Sequence, residues 1–291
     1  VDVNSQNITA STISAVIREN TKAVICVHLA GMPCEMDEII VLAKIHDLVV
    51  IEDCAQAHGA KYKGRAVGSI GDVGCWSFCQ DKIMTTGGEG GMVTTNNKSL
   101  WKKMWAYKDH GKSWDAIYNK SHPPGFRWLH ESFGTNWRLT EMQSAIGRIQ
   151  LSRMAEWFDK RNSNAKLIES TLAKFNCIRL VNIPEYIEHA HYKFYAFVDT
   201  DLLKDDWNRD RIVDEINTLG IPCFQGSCSE VYLEKAFDNT LFRPENSLPI
   251  AKLLGETSLM FLVHPTLTSV EMAEMCSVIG KIIEKANLNN K

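Results

Sequence analysis

The feature that most constrains this chain is a short β-branched run, Leu48-Val49-Val50-Ile51-Glu52, that leads straight into Asp53. A brief apolar run of this kind suits a central strand of a parallel sheet, where both faces are covered. Ala23 to Val27 gives a second such strand upstream, and Met36 to His46, between them, carries helical periodicity. Val73 to Ser77 and Gly91 to Thr95 are further strand candidates. Strands alternating with helices predict an α/β layered domain. In such sheets ligands bind at the carboxyl ends of the strands, and that is where Asp53 stands.

A chain of 291 residues can bury a substantial core. The formal charge of -3 gives no reason to expect nucleic acid or an anionic membrane as a partner. No apolar run approaches bilayer-spanning length, and the opening Val-Asp-Val-Asn-Ser-Gln does not resemble a signal peptide. The nine cysteines are scattered singly, with no Cys-x-x-Cys among them. That usage predicts a reduced, cytoplasmic protein whose cysteines act as small apolar residues. Cys223 and Cys228 could start a zinc site with a distant histidine, but no second ligand pair has metal-like spacing, so no metal is expected.

Asn97 to Lys108 reads as a helix. The stretch from Asp109 to Gly134 lacks periodicity but holds Trp114, Tyr118, Phe126, Trp128 and Phe133. So long a connection with so many rings predicts an ordered binding loop. Thr140-Glu141-Met142-Gln143 has the form of a capping box, and Met142, Ala145, Ile146 and Ile149 follow it at helical spacing. Strands are expected near Ile178 to Leu180 and Lys193 to Val198. A helix is expected near Arg209 to Leu219, closed by Gly220, and a last one behind the Thr268-x-x-Glu271 box. Mixed elements of this kind predict a smaller α+β domain from about residue 139.

Residues able to do chemistry are densest between Glu52 and Gly91. Gln56 and His58 follow Asp53; then come Ser77-Phe78-Cys79-Gln80-Asp81-Lys82 and Thr85-Thr86-Gly87-Gly88-Glu89-Gly90-Gly91. A lysine held after a strand between small and hydroxyl residues can present an amine to a carbonyl cofactor. An acid at a neighbouring strand end can keep a pyridinium nitrogen protonated, which makes the ring an electron sink. Singly, each has an ordinary reading: a solvated lysine, a turn aspartate, a strand-end serine. The glycine run lacks both the Gly-Lys-Ser/Thr ending of a nucleotide loop and a dinucleotide spacing, so it reads as tight turns. His28, His58 and His264 read as local hydrogen-bonding residues, with His58 close enough in sequence to be a site candidate.

The combination resembles the DegT/DnrJ/EryC1/StrS family of sugar aminotransferases, within the fold-type I pyridoxal-phosphate enzymes. The resemblance is carried by VHLAGMPCEMDEI (27–39), EDCAQAHGA (52–60), VGSIGDVGCWSFCQDKIMTTGGEGGMVTTN (67–96), GTNWRLTEMQSAIGRIQL (134–151), GIPCFQGSCSEVYLEKAF (220–237) and the late LVHPTLT. It implies an aspartate aminotransferase-like fold: a three-layer α/β/α large domain over 1–138, and a linker helix with a small α+β domain over 139–291. It further implies that Lys82 carries pyridoxal 5'-phosphate as a Schiff base and that Asp53 pairs with the pyridine nitrogen. Gln56 is implied near the ring hydroxyl and Ser77 on the phosphate. Asn136, in Gly-x-Asn-x-Arg, is implied to reach the phosphate of a neighbouring subunit, in a homodimer with shared active sites.

Two departures from the family pattern stand out. Many relatives have one glycine fewer before the glutamate, so Gly87-Gly88 predicts a local loop adjustment. Family members also begin with helices and strands, including a phosphate-binding Gly-Thr-x-Ala-Leu turn, that precede anything matched here. The sequence is therefore expected to be a fragment of a family member that lacks part of the large domain, with uncovered edges and apolar faces and poor stability alone. The expected activity is transfer of the amino group of L-glutamate to a nucleotide-linked keto-sugar, at C4 of a 4-keto-6-deoxyhexose, as in perosamine-synthase-like members, for surface polysaccharide. The rivals are C3 amination, a sugar dehydratase (whose members replace the lysine by histidine) and an inactive, truncated chain acting as a partner or regulatory subunit.

Overall fold

The computed structural model describes residues 1–125 and 127–288; Phe126, one of the loop aromatics named above, lies outside them. The first half runs α1 (Ala10–Ser14), β1 (Ala23–Val27), α2 (Met36–Ile45), β2 (Val49–Asp53), β3 (Lys61–Tyr62), β4 (Arg65–Ala66), β5 (Val73–Ser77), β6 (Gly91–Thr94), α3 (Lys98–Lys108) and α4 (Trp114–Tyr118). One sheet has the order β1-β2-β5-β6. β1, β2 and β5 are parallel, and β6 returns antiparallel to β5. β2 is thus a central parallel strand, as its composition predicts, although it begins one residue later than the apolar run.

Both-face burial of that strand is not found. Burial alternates along β1 and β2. Val24, Cys26 and Val50 pack on Met36, Ile39 and Ala43 of α2, whereas Ile25, Val27 and Val49 are exposed on the other face. Successive strand side chains point to opposite faces, and among the described residues only one face has a helical cover.

The second half runs α5 (Glu141–Ser152), α6 (Met154–Leu172), β7 (Ile178–Leu180), β8 (Ile187–Glu188), β9 (Phe194–Val198), α7 (Arg209–Thr218), β10 (Cys223–Phe224), α8 (Pro249–Thr257), β11 (Ser258–Phe261) and α9 (Ser269–Ala286). A second sheet, β10-β11-β9-β7, is antiparallel throughout. Every residue of β9 is buried, and Ile168, Ile212, Ile216, Met272 and Ile279 from the covering helices join it in one core. The expected capping boxes form at Thr140/Gln143 and Thr268/Glu271, each satisfying amides that a helix start leaves free.

The halves are tied by a small sheet, β4-β3-β8. After β8, Ala190 and Tyr192 pack with Cys54, Ala57, Ala60 and Ile83. A segment late in the chain is thereby laid against the carboxyl edge of the first sheet.

The 109–134 connection is ordered, as its rings predict. Backbone bridges join Asp109 to Asn136 and Lys112 to His130. Gly111, at φ +80, stands so near the Ser132 carbonyl that a Cβ would lie 1.7 Å from its oxygen. Trp114 packs on Trp101, Trp105 and Tyr118 with centroid separations of 4.9, 5.1 and 4.2 Å, while Trp128 and Phe133 are exposed. The stripe on α5 is not buried: Met142 is 77% and Ile149 58% exposed. Among the described residues, no helix is long and apolar enough to cross a membrane.

Candidate active site

β2 and β5 are hydrogen-bonded neighbours and end together, Asp53 pairing with Cys75 two residues before Ser77. The Asp53 Oδ1 accepts the Ala55 amide at 2.9 Å, which starts the turn leaving the strand. Within that turn Gln56 uses its Oε1 to take the amide of Ala30 at 2.7 Å. Ala30 itself sits at φ 57, so the glutamine holds a strained turn beyond β1.

His58 is 5% exposed, its ring beside Trp76 and Phe78, the residues flanking Ser77. Its ring nitrogens meet no partner at strict hydrogen-bond geometry among the described residues, and the polar group acting on the ring is the Ser77 backbone. Burial brings its pKa down to about 4, helped by the charges of Lys82 and Arg161 and opposed by the Ser77 backbone. The imidazole is therefore neutral at pH 7. His28 and His264 do form local hydrogen bonds, to Glu52 and Thr266.

Beyond β5 the chain folds back on itself. Ser77 Oγ accepts the Cys79 amide at 3.3 Å, and the Lys82 amide donates to the Cys79 carbonyl at 3.1 Å. Gly87 and Gly88 take φ +78 and +142, conformations that side chains disfavour; the extra glycine is absorbed there. α5 clamps this loop: Gln143 Nε2 donates to the Glu89 carbonyl at 2.6 Å, and Gln150 Oε1 accepts the Thr85 amide at 3.2 Å.

The Lys82 side chain is 17% exposed, with Nζ 3.8 Å from Asp81 Oδ1 and 5.2 Å from the ring centroid of Tyr192. Tyr192 Oη donates to Asp81 Oδ2 at 2.5 Å. That bond, with the charge of Lys82, holds the Asp81 carboxyl below its ordinary value against a partial burial that opposes it. Burial, and then Asp81, push the Tyr192 phenol up. The site therefore presents an amine, Lys82, steadied by an ionised carboxylate and an aromatic face.

Asp53, Gln56, His58, Ser77 and Lys82 thus gather at one sheet edge. Asn136 does not join them. It is exposed, its Oδ1 takes the Arg138 Nε at 3.0 Å, and no hydrogen bond or ion pair links it to the other five among the described residues.

Glu52, Asp81 and Tyr192 escaped the sequence reading. Glu52 is fully buried and accepts His28 Nε2–H together with the amides of Gly68, Ile70 and Gly71. His28 Nδ1 accepts the Cys34 amide, so its proton is on Nε2. Burial raises the proton affinity of Glu52, but His28 and the glycine amides outweigh it and the carboxyl titrates below its ordinary value. His28, Glu52 and Cys54 offer ligand atoms within 4.8 Å of one another. The neutral imidazole has no lone pair left for an ion and the carboxylate is saturated, so the cluster is structural. An acid one residue out of phase with Asp53 in an apolar strand was the available signal.

This parallel sheet, ending in a lysine-bearing loop and joined to an antiparallel sheet, is the architecture of the fold-type I pyridoxal-phosphate enzymes. Within that class the chain belongs to the DegT/DnrJ/EryC1/StrS aminotransferase family, whose family model matches residues 1–280. It superimposes on the crystal structure of an aminotransferase from Psychrobacter cryohalolentis with a TM-score of 0.96 and 61% identity, over 98% of this chain and 74% of that one. It is 31% identical to the GDP-perosamine synthase of Caulobacter vibrioides over 97% of this chain and 71% of the relative. It is equally 31% identical to the UDP-N-acetyl-3-dehydro-alpha-D-glucosamine 3-aminotransferase of Acidithiobacillus ferrooxidans, over 97% and 70%.

Proposed function

We propose that this aminotransferase binds pyridoxal 5'-phosphate at Lys82 and moves an amino group from L-glutamate to a nucleotide-linked keto-sugar, at C4 of a 4-keto-6-deoxyhexose. The observation that carries the proposal is the half-buried Lys82 amine, held by Asp81 and Tyr192, at the sheet edge where Asp53 ends the neighbouring strand.

The residues present fit the cofactor. Asp53 Oδ2, Gln56 Nε2 and both nitrogens of His58 make no hydrogen bond of strict geometry among the described residues. An acid suits a pyridinium nitrogen, an amide a ring hydroxyl, and the Ser77 hydroxyl a phosphate oxygen. When bound, the cofactor supplies an electron-accepting ring. Asp53 would hold a proton on the ring nitrogen, Gln56 and His58 would line the ring, and Ser77 would hold the phosphate end. Lys82 Nζ would carry a proton between the substrate carbon and the cofactor carbon, which requires an amine that is oriented and partly shielded from water.

Asn136 is assigned to the phosphate of a second copy of the chain in a homodimer. Its exposure, and the uncovered stripe on α5, support that assignment. A division into the remainder of a large cofactor-binding domain over 1–138 and a linker helix with a small domain over 139–291 fits the two sheets with their separate cores. Nine free cysteines favour a reducing, cytoplasmic compartment.

C4 amination rests on likeness to the perosamine synthase, and C3 amination is the rival on equal identity to the 3-aminotransferase. Reduction with borohydride in the presence of the cofactor, followed by peptide mapping, is expected to find the adduct on Lys82; an adduct elsewhere, or none, overturns the proposal. Assay with glutamate against nucleotide-linked 4-keto and 3-keto sugars then separates the two positions.

A further inference from the structure

We infer that Lys193 is the cation through which this site takes the anionic group of its substrate, a carboxylate or a phosphate oxygen. The inference rests on reading Lys82 as the reacting amine.

Lys82 and Lys193 converge on one aromatic ring. Their Nζ atoms lie 5.2 and 4.8 Å from the centroid of Tyr192, and the charge of Lys82 acts on Lys193. Lys82 has a carboxylate beside it, Asp81. Lys193 is half-buried, and no carboxylate stands within ion-pair distance of it among the described residues. A third cation lies close behind. Arg161 is 2% exposed, and its guanidinium donates to the carbonyls of His191 and Tyr192 at 3.3 and 3.2 Å with Nε unpartnered. Those bonds fix the backbone that presents Tyr192 and Lys193.

The acid that acts on both lysines, Asp81, is already engaged by Tyr192 and Lys82. Partial burial and the charges of Arg161 and Lys82 make it easier for Lys193 to lose its proton, with Asp81 opposing. Half-buried positive charge with no acid at ion-pair distance is unfavourable, and a ligand that supplies one relieves it. An anion arriving within reach of Lys82 would remove that penalty, which makes Lys193 a specificity-determining group for an anionic substrate. Two sources have the required chemistry: the carboxylates of the amino donor and the diphosphate of the nucleotide-linked acceptor.

Calorimetric titration of the protein with glutarate and with inorganic pyrophosphate, at fixed ionic strength, tests this without turnover. Lys193→Met is expected to weaken binding by roughly 10- to 100-fold, the worth of one charged hydrogen bond. Lys193→Arg, which keeps the charge, is expected to stay within a few-fold of the parent. Loss confined to glutarate assigns the donor carboxylate, and loss confined to pyrophosphate assigns the acceptor. Equal binding by parent and Lys193→Met, no binding of either probe by the parent, or a loss in Lys193→Arg as large as in Lys193→Met overturns the inference. Borohydride mapping of Lys193→Met is read separately. An adduct on Lys82 leaves the proposed function standing even if the anion site fails.

Discussion

His28 and Glu52 hold each other through an Nε2–H···O bond of 3.0 Å, and neither side chain is reached by solvent. The carboxylate also takes three backbone amides from the 68–71 turn that feeds β5. One buried side chain therefore fixes the spacing between the strand that ends in Asp53 and the strand that ends in Ser77.

Glu52→Gln is expected to destabilise the protein by about 3 kcal/mol or more, because an amide cannot accept every donor now aimed at the two oxygens. Urea denaturation at pH 7 measures this. The folded pKa of Glu52 lies below its ordinary value, so its contribution is complete above the ordinary carboxylate range. It fades as pH falls through the lowered folded value, and Glu52→Gln should remove that part of the acid sensitivity.

His58 carries the opposite demand, for neutrality. Its folded pKa of about 4 lies below the ordinary 6.5. Stability linked to it is full above 6.5 and declines as pH falls toward 4, by a few kcal/mol in all. His58→Phe should flatten that decline in denaturation curves taken at pH 7 and pH 5. It should cost little at pH 7, since the nitrogens lost have no partner at strict hydrogen-bond geometry among the described residues. A weaker affinity for pyridoxal phosphate in the same variant, read from absorbance titration, is the outcome expected if His58 lines the ring.

Tyr192→Phe removes the bond that keeps Asp81 ionised while leaving the ring beneath Lys82. The Asp81 carboxyl should titrate at higher pH, so the acid limb of the pH profile for trapping the cofactor on Lys82 should move upward. A purely structural tyrosine would change stability and leave that limb in place.

Ile149→Asp places a charge in the exposed stripe of α5. If that stripe seats a second copy of the chain, sedimentation velocity should show dimer affinity reduced by at least about tenfold, the effect of an unpaired charge of a few kcal/mol in an interface. Monomer stability should change little, because the side chain is exposed. Unchanged self-association would remove this stripe from the interface.

The sequence by itself determined the local structure and the class of chemistry. Periodicity located β1, β2, β5 and β9, and the spacing of a hydroxyl from an amide or acid in Thr140/Gln143 and Thr268/Glu271 located two helix starts; these depend on neighbours along the chain, so they are legible without a fold. The cluster from Asp53 to Lys82 was legible for the same reason, since it is one continuous stretch of sequence. Tertiary structure alone decided what surrounds Lys82. Tyr192 and Lys193 stand near it because β8 pairs with β3 and carries a distant segment back to the first sheet. It also decided that Glu52 faces inward, that His58 has no partner at strict hydrogen-bond geometry among the described residues, and that the stripe of α5 is uncovered. Burial and charge pairing depend on which segments meet in space, and composition and spacing carry no record of those meetings.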